Sequence, residues 1–272
     1  MATYDIRPLQ IHLLNMLLDV DKMCKAHRLD YFIVAGTQLG AVRHGGFIPW
    51  DDDLDIAMPR ASYEQLMRHG REWLPDYLEL AAHETDPTYI FPFAKIQDAR
   101  TTVLEKTWRG KPSGVYLDIF PLDGMPRQQW QQCLHYTHYR IWRRILYFLG
   151  RDPYKHGHGP RAWLPALLHQ CFTLSAVQQK LKQIATKYTY EQARYVVDYD
   201  FRKRGIQPHH IYGKPTPIHF EGQMVMGVEH PDAYLSHTYG TYQQLPPETK
   251  RKQHNFHYLN LNLPYRDYNA SS

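Results

Sequence analysis

A chain of 272 residues, 43% apolar and 22% charged, is long enough for one large domain, or one domain with a helical insertion, and can bury a sizeable core. The net charge of +5 and isoelectric point near 8.9 suit phosphate-bearing ligands or an anionic membrane face, and are too weak to call for nucleic acid. Three dispersed cysteines (Cys24, Cys133, Cys171) speak against a disulfide framework or a cysteine zinc site and lead us to expect a cytosolic setting. The first residues lack a signal-peptide layout, and no apolar run reaches the ~18 residues of a membrane span.

Pro8 can open a helix, and Leu9, Leu13, Leu14, Leu17, Val20 and Met23 recur at the three- and four-residue spacing of an amphipathic helix ending near His27. Tyr31–Ala35 reads as a short apolar strand that stops at a Gly36-Thr37 turn, followed by a helix over Q-L-G-A-V-R-H. The next strand is Leu54–Met58, closed by Pro59, and a helix covers Ser62–His69. Tyr77–Ala82, Ile90–Ile96 and Thr101–Glu105 read as three strand-like pieces. A basic Gly/Pro loop (Arg109–Pro112) leads to the strongest strand, Gly114–Asp123. This pattern predicts an α+β fold, a mixed β-sheet core flanked by helices. From Gln128 the character changes: Trp130–Gly150 is an aromatic, basic helix, and helices follow at Ala162–Ser175 and Val177–Thr186. We expect a catalytic core over 1–127, a helical subdomain over 128–190, and a C-terminal segment over 191–272 that packs back on the core. In that segment, strands are expected at His219–Phe220 and Gln223–Val228, and a helix near Pro231–His237.

The chemistry concentrates in Gly36–Met58, G-T-Q-L-G-A-V-R-H-G-G-F-I-P-W-D-D-D-L-D-I-A-M. Asp53 and Asp55, two apart on a strand, face the same way, and two such carboxylates repel unless a cation sits between them. Mg²⁺ or Mn²⁺, held by a few carboxylates and completed by substrate phosphates, is the oxygen-rich answer. A glycine turn ahead of a helix offers free N–H groups as a phosphate seat, here Gly36 and Thr37. Together these describe phosphoryl or nucleotidyl transfer. Asp118, the acid inside the strand Val115–Phe120, would complete the site, either binding a second metal or taking a proton from the acceptor hydroxyl. Asp51 and Asp52 read as loop, cap or supporting residues. His156 and His158 read as loop.

The same motif resembles the LicD family of the nucleotidyltransferase superfold, whose members typically show G-T-L-L-G-A-x-R-H-x-G-F-I-P-W-D-D-D-x-D. The likeness continues through Pro92–Asp98 and Tyr116–Asp123, and sparsely through Tyr239–Pro247. Gln38 departs from it by replacing an apolar residue. The resemblance implies transfer of a substituted phosphate, such as phosphocholine from CDP-choline, to a hydroxyl of a cell-surface glycan, lipid-linked glycan or teichoic-acid precursor. It implies metal ligation by Asp53 and Asp55, with Asp118 as third acid, and a donor phosphate held by Gly36 and Thr37. Lys95 could neutralise that phosphate or sit solvated on a strand edge. Arg43 and His44 could contact phosphate, or cap and pair. Trp50 could face a quaternary ammonium or simply pack. Arg251, with Lys252 and His254, could meet an anionic acceptor or stay solvated. The helix over 130–150 reads equally as a peripheral membrane contact and as a core helix with a basic edge. Two alternatives remain open: a nucleotidyltransferase adding NMP to a small molecule, and a non-catalytic membrane-associated protein of the same fold.

Overall fold

A computed structural model describes residues 5–105, 111–154, 159–251, 253 and 256–269. Arg109 and Gly110 of the basic loop, His156 and His158, and Lys252 and His254 of the tail cluster lie outside the described residues. In chain order the elements are α1 (Ile6–His27), β1 (Phe32–Ile33), α2 (Ala35–His44), β2 (Asp55–Pro59), α3 (Arg60–Trp73), β3 (Leu78–Ala81), β4 (Ala94–Leu104) and β5 (Ser113–Met125). Then follow α4 (Gln129–Leu149), α5 (Pro160–Cys171), α6 (Leu174–Ala185), β6 (Tyr195–Val197), β7 (Ile206–Pro208) and α7 (His209–Tyr212). The chain closes with β8 (Thr216–Phe220), β9 (Gln223–Gly227), α8 (Pro231–Tyr239) and β10 (Tyr258–Asn260). This is a mixed α+β protein. No described helix is long and apolar enough to cross a membrane.

The chain divides into two compact units. The first takes its described residues from Met1–Leu80, Lys95–Pro121 and His210–Ser272. Its helix α1 starts where the Asp5 carboxylate accepts the Arg7 N–H at 3.1 Å, and it buries the periodic stripe Leu9, Leu13, Met16, Leu17 and Val20. Its strands run in the order β1-β2-β5-β4-β10, and β3 also pairs with β4. In the antiparallel pair β1–β2, Phe32 faces Ala57 and Ile33 faces Ile56. Leu54, Ile56, Ile96, Leu117 and Ile119 are fully buried, each contributing about 1.5–3 kcal/mol through the apolar area withdrawn from water. β8 and β9 form a hairpin whose two turn residues, Glu221 and Gly222, both have positive φ (52° and 73°), as a type I′ turn requires.

The second unit is Ala81–Ala94 with Leu122–His209. Here the end of β5 pairs with β6, and β6 with β7. Helices α4 and α6 enclose a core of Tyr136, Tyr139, Leu146, Leu149, Val177, Leu181 and Ile184. The rings of Tyr139 and Tyr199 stack at 3.6 Å, and the Arg143 guanidinium clasps Asp200 bidentately. The imidazole of His135 is buried and bonded to the Tyr199 hydroxyl at 2.9 Å.

Some expectations need correction. The strand expected over Tyr31–Ala35 is two residues long, because Ala35 takes a left-handed conformation (φ 53°) and starts α2. Gly36 and Thr37 therefore lie in the first turn of a helix rather than in a turn ahead of it. β2 begins at Asp55, so Asp53 precedes the strand that was expected to carry both acids. Ala94–Ile96, the end of the piece expected over Ile90–Ile96, and Thr101–Leu104 belong to one long strand, β4, with the intervening polar residues included, while 90–93 lie outside any strand. Strands β6, β7 and β10 carry too few residues to show a period.

Burial, with the nearby Lys187 and His138 adding to it, lowers the His135 pKa to about 4, from an ordinary value near 6.5. The folded state thus resists protonation, and its stability from this site is full above pH ~6.5 and drains as pH falls toward 4. We expect urea-unfolding midpoints to drop across that window, and His135→Gln to flatten the drop. An unchanged pH slope in the variant would refute this origin.

Candidate active site

The site lies wholly in the first unit. It is built where the start of β2 and the middle of β5 meet the start of α2. The Val34 N–H donates to the Asp55 carbonyl at 3.1 Å, and the Asp55 N–H donates to Thr37 Oγ1 at 2.9 Å. Thr37 is buried, and its hydroxyl oxygen fixes the strand that carries Asp55. Ala35 holds its left-handed conformation, a cost of about 1–2 kcal/mol for a residue with a Cβ, while its N–H donates to the Tyr234 hydroxyl at 3.1 Å. Beside it, a Cβ on Gly36 would stand 2.6 Å from Asp51 Oδ2. The glycine thus lets the Asp51 carboxylate approach the first turn of α2. Asp51, read from sequence as a loop acid, belongs to the site wall.

Asp118 enters from the neighbouring strand: its N–H donates to the Leu54 carbonyl at 3.1 Å, which sets it alongside the residue between Asp53 and Asp55. Lys95, from β4, is buried rather than solvated. Its Nζ lies 3.1 Å from Glu105 Oε1, 3.7 Å from Asp118 Oδ1 and 3.3 Å from the centre of the Tyr116 ring. The Tyr116 hydroxyl donates to Glu105 at 2.6 Å. Burial first, then the charges of Asp118, Glu105 and Asp53, push the Tyr116 pKa well above its usual value. A second phenol reports the same field. Tyr239 has an exposed edge, yet its hydroxyl is raised too, by loss of water around it, by Tyr234, and by Asp55, Asp51 and Asp53. Asp53, Asp55 and Asp118 therefore stand in one negative field, with Asp51 and Glu105 beside them. Asp52 is buried, 1% exposed.

Arg43, His44, Trp50 and Arg251 gather in one cluster. Arg43 donates to the Tyr242 carbonyl at 2.8 Å, and burial lowers its pKa. Burial, then the Arg43 charge, lowers that of His44. The His44 ring meets Trp50 edge-on at 6.3 Å, and the Arg251 guanidinium lies 4.7 Å from the Trp50 ring centre. Trp50 thus already accepts a cation. Gln38, the departure from the family pattern, is fully buried, and its Oε1 accepts the Val228 N–H at 3.3 Å. Among the described residues no three His, Cys, Asp or Glu side chains are arranged so that they could hold a metal ion by themselves.

Tyr239, Glu105 and Tyr116 are site residues that sequence reasoning passed over. Tyr116 had a signal, at two residues from Asp118 on one strand face, and Tyr239 opens the family-like stretch Tyr239–Pro247, while Glu105 had none.

The family model described as LicD/FKTN/FKRP, nucleotidyltransferase domain, matches residues 28–147, which include Gly36, Asp53, Asp55, Lys95 and Asp118. The lipopolysaccharide cholinephosphotransferase LicD of Haemophilus influenzae is 30% identical over 261 residues, covering 93% of this chain and 97% of that protein. An uncharacterized protein of Rickettsia typhi is 37% identical over 70 residues, 26% of this chain and 21% of its own. One of Rickettsia prowazekii is 44% identical over 48 residues, 18% of each chain.

Removing the buried ammonium should leave Glu105 and Asp118 short of compensating charge. Lys95→Met is expected to lower unfolding stability by about 1–3 kcal/mol in a denaturant titration. Lys95→Arg should recover part of it, and equal stability of Lys95→Met and the parent would contradict the assignment.

Proposed function

Because this chain belongs to the LicD family, we propose that it transfers phosphocholine from a CDP-linked donor to a hydroxyl of a lipopolysaccharide-type glycan. The observation that carries this reading is a backbone geometry: the Asp118 N–H bonds the Leu54 carbonyl, between Asp53 and Asp55, while Thr37 in the first turn of α2 binds the Asp55 N–H. In this reading the acceptor oxygen attacks the phosphocholine phosphorus. A P–O bond forms there, the bond to the CMP oxygen breaks, and CMP leaves with the electron pair. Asp118 takes the acceptor proton. Lys95 holds Asp118 and Glu105 in place and offsets their charge. The N–H groups at the start of α2 face the donor phosphate. The Trp50 ring, which bears a guanidinium here, offers a cation–π surface of the type a quaternary ammonium uses.

Mg²⁺ or Mn²⁺ fits this donor set. The carboxylates supply excess negative charge and only hard oxygen ligands, and Mg²⁺ is commonly held by one or two carboxylates plus substrate phosphates rather than by an all-protein cage. Asp53 and Asp55 would hold it, with Asp118 beside them. The ion would offset charge on the phosphate oxygens.

We expect CMP release from CDP-choline in the presence of Mn²⁺ or Mg²⁺, lost on chelation. Asp53→Asn and Asp55→Asn should each lower it by more than about a hundredfold, with circular dichroism unchanged. Full turnover by either variant would sink the assignment. Pyrophosphate release from NTPs would point to nucleotidyl transfer instead. CDP-glycerol and CDP-ribitol in the same assay test the head group.

A further inference from the structure

The charge of this protein is segregated. Residues 128–171 hold six Lys/Arg and one acid, Asp152, so their net +5 equals that of the whole chain and the remaining residues sum to zero. The same stretch contains an unusual share of the large apolar side chains that face water. On α5, Trp163 (69% exposed), Leu164 (56%) and Leu167 (55%) occupy one arc of the helix, at spacings of one, three and four. On α4, Trp130 (61%), Leu134 (63%) and Ile141 (56%) recur at spacings of four and seven along one outward stripe.

Neither face is free to turn inward. α5 is fixed to the end of α4 by His169, whose Nε2 lies 3.2 Å from the Phe148 carbonyl and 3.0 Å from the Arg151 carbonyl, and by the edge contact of Trp142 with Phe172 at 5.6 Å. Leu168 packs on the core from its other side. The arginines flank the apolar stripe. Arg140 and Arg144 are exposed, Arg144 lying 5.0 Å from the Tyr147 ring and 4.9 Å from Phe148, and Arg151 lies 4.0 Å from the Tyr147 ring. Arg143 is excluded, because it pairs with Asp200.

We propose that the outer faces of α4 and α5 form a docking surface for an anionic phospholipid bilayer. Trp163, Leu164 and Leu167 enter the headgroup–acyl boundary, and Arg140, Arg144 and Arg151 meet lipid phosphates. Exposed Trp and Leu beside arginines, with acids almost absent, is the chemistry of an interfacial helix. A protein partner would not call for the whole net charge of the chain to lie behind the contact. This surface belongs to the second unit and does not rest on the transfer reaction proposed above.

The test uses the full chain and vesicles of phosphatidylcholine alone or with about one-third phosphatidylglycerol. We expect co-sedimentation with the anionic vesicles at least about tenfold above that with neutral ones. Trp163→Ser/Leu167→Ser and Arg140→Glu/Arg144→Glu should each lower it by about tenfold while thermal midpoints stay put, because all four side chains are exposed. Equal partitioning onto both vesicle types, or no partitioning, would overturn the proposal. So would a dimer in analytical ultracentrifugation that the Trp163→Ser/Leu167→Ser pair dissolves, since that would make the face a self-contact. Vesicle binding is read without turnover, so its failure leaves the transfer reading untouched.

Discussion

Like charges at close quarters govern the first unit. Asp51 and Asp53 precede β2, Asp55 begins it, Asp118 sits mid-way along the adjacent β5 and Glu105 follows β4, an arrangement of acids whose mutual repulsion works against the sheet. Rigid backbone contacts hold them instead: Asp118 N–H to Leu54 carbonyl, Val34 N–H to Asp55 carbonyl, Asp55 N–H to Thr37. One buried ammonium, that of Lys95, rests on the Tyr116 ring and bridges Glu105 and Asp118. The two phenols pushed far above their usual pKa, Tyr116 and Tyr239, register the same field from opposite directions along the chain. A site in this condition favours a cation and a phosphate that brings its own oxygens, which is the electrostatic core of the proposed chemistry.

Much of this could be read in the sequence wherever spacing speaks for itself. Helix α1 shows in its apolar period and β5 in its apolar run interrupted by Asp118, and the acids Asp53, Asp55 and Asp118 stand out against them. Short elements escaped for a plain reason: a three-residue strand such as β10 has no period to detect, and its register with β4 is a long-range fact. The start of α2 also escaped, since nothing marks Ala35 as left-handed until Tyr234 binds its N–H. The phosphate seat read at Gly36 and Thr37 concerned their backbone N–H groups, and what the sequence did not show is that the Thr37 hydroxyl binds the backbone of Asp55. Lys95 was read ambiguously because strand lysines are generally solvated, and only the placement of Glu105 and Tyr116 explains its burial. Asp51 was set aside because its proximity to Gly36 depends on how the loop folds back.

The two units divide physical tasks. In the first, acids outnumber their compensating cations at the site and buried polar groups set geometry. In the second, aromatic stacking around Tyr199 and the Arg143–Asp200 pair stabilise a helical core whose outward faces carry Trp130, Leu134, Trp163 and the exposed arginines. The net positive charge of the chain belongs to that second task alone.

The motif loop is held from far away. Glu221 of the β8–β9 turn accepts the Phe47 N–H and binds Arg7, across separations of 174 and 214 residues. Tyr234 and Tyr242 reach Ala35 and Arg43 across 199 residues. A ribosome therefore releases the whole aspartate motif long before the residues that shape it exist. During synthesis the crowded carboxylates wait on an unfinished scaffold, and the centre matures only when the last fifth of the chain emerges. High contact order of this kind makes acquisition of the site a late, slow event and exposes the nascent chain to chaperones meanwhile.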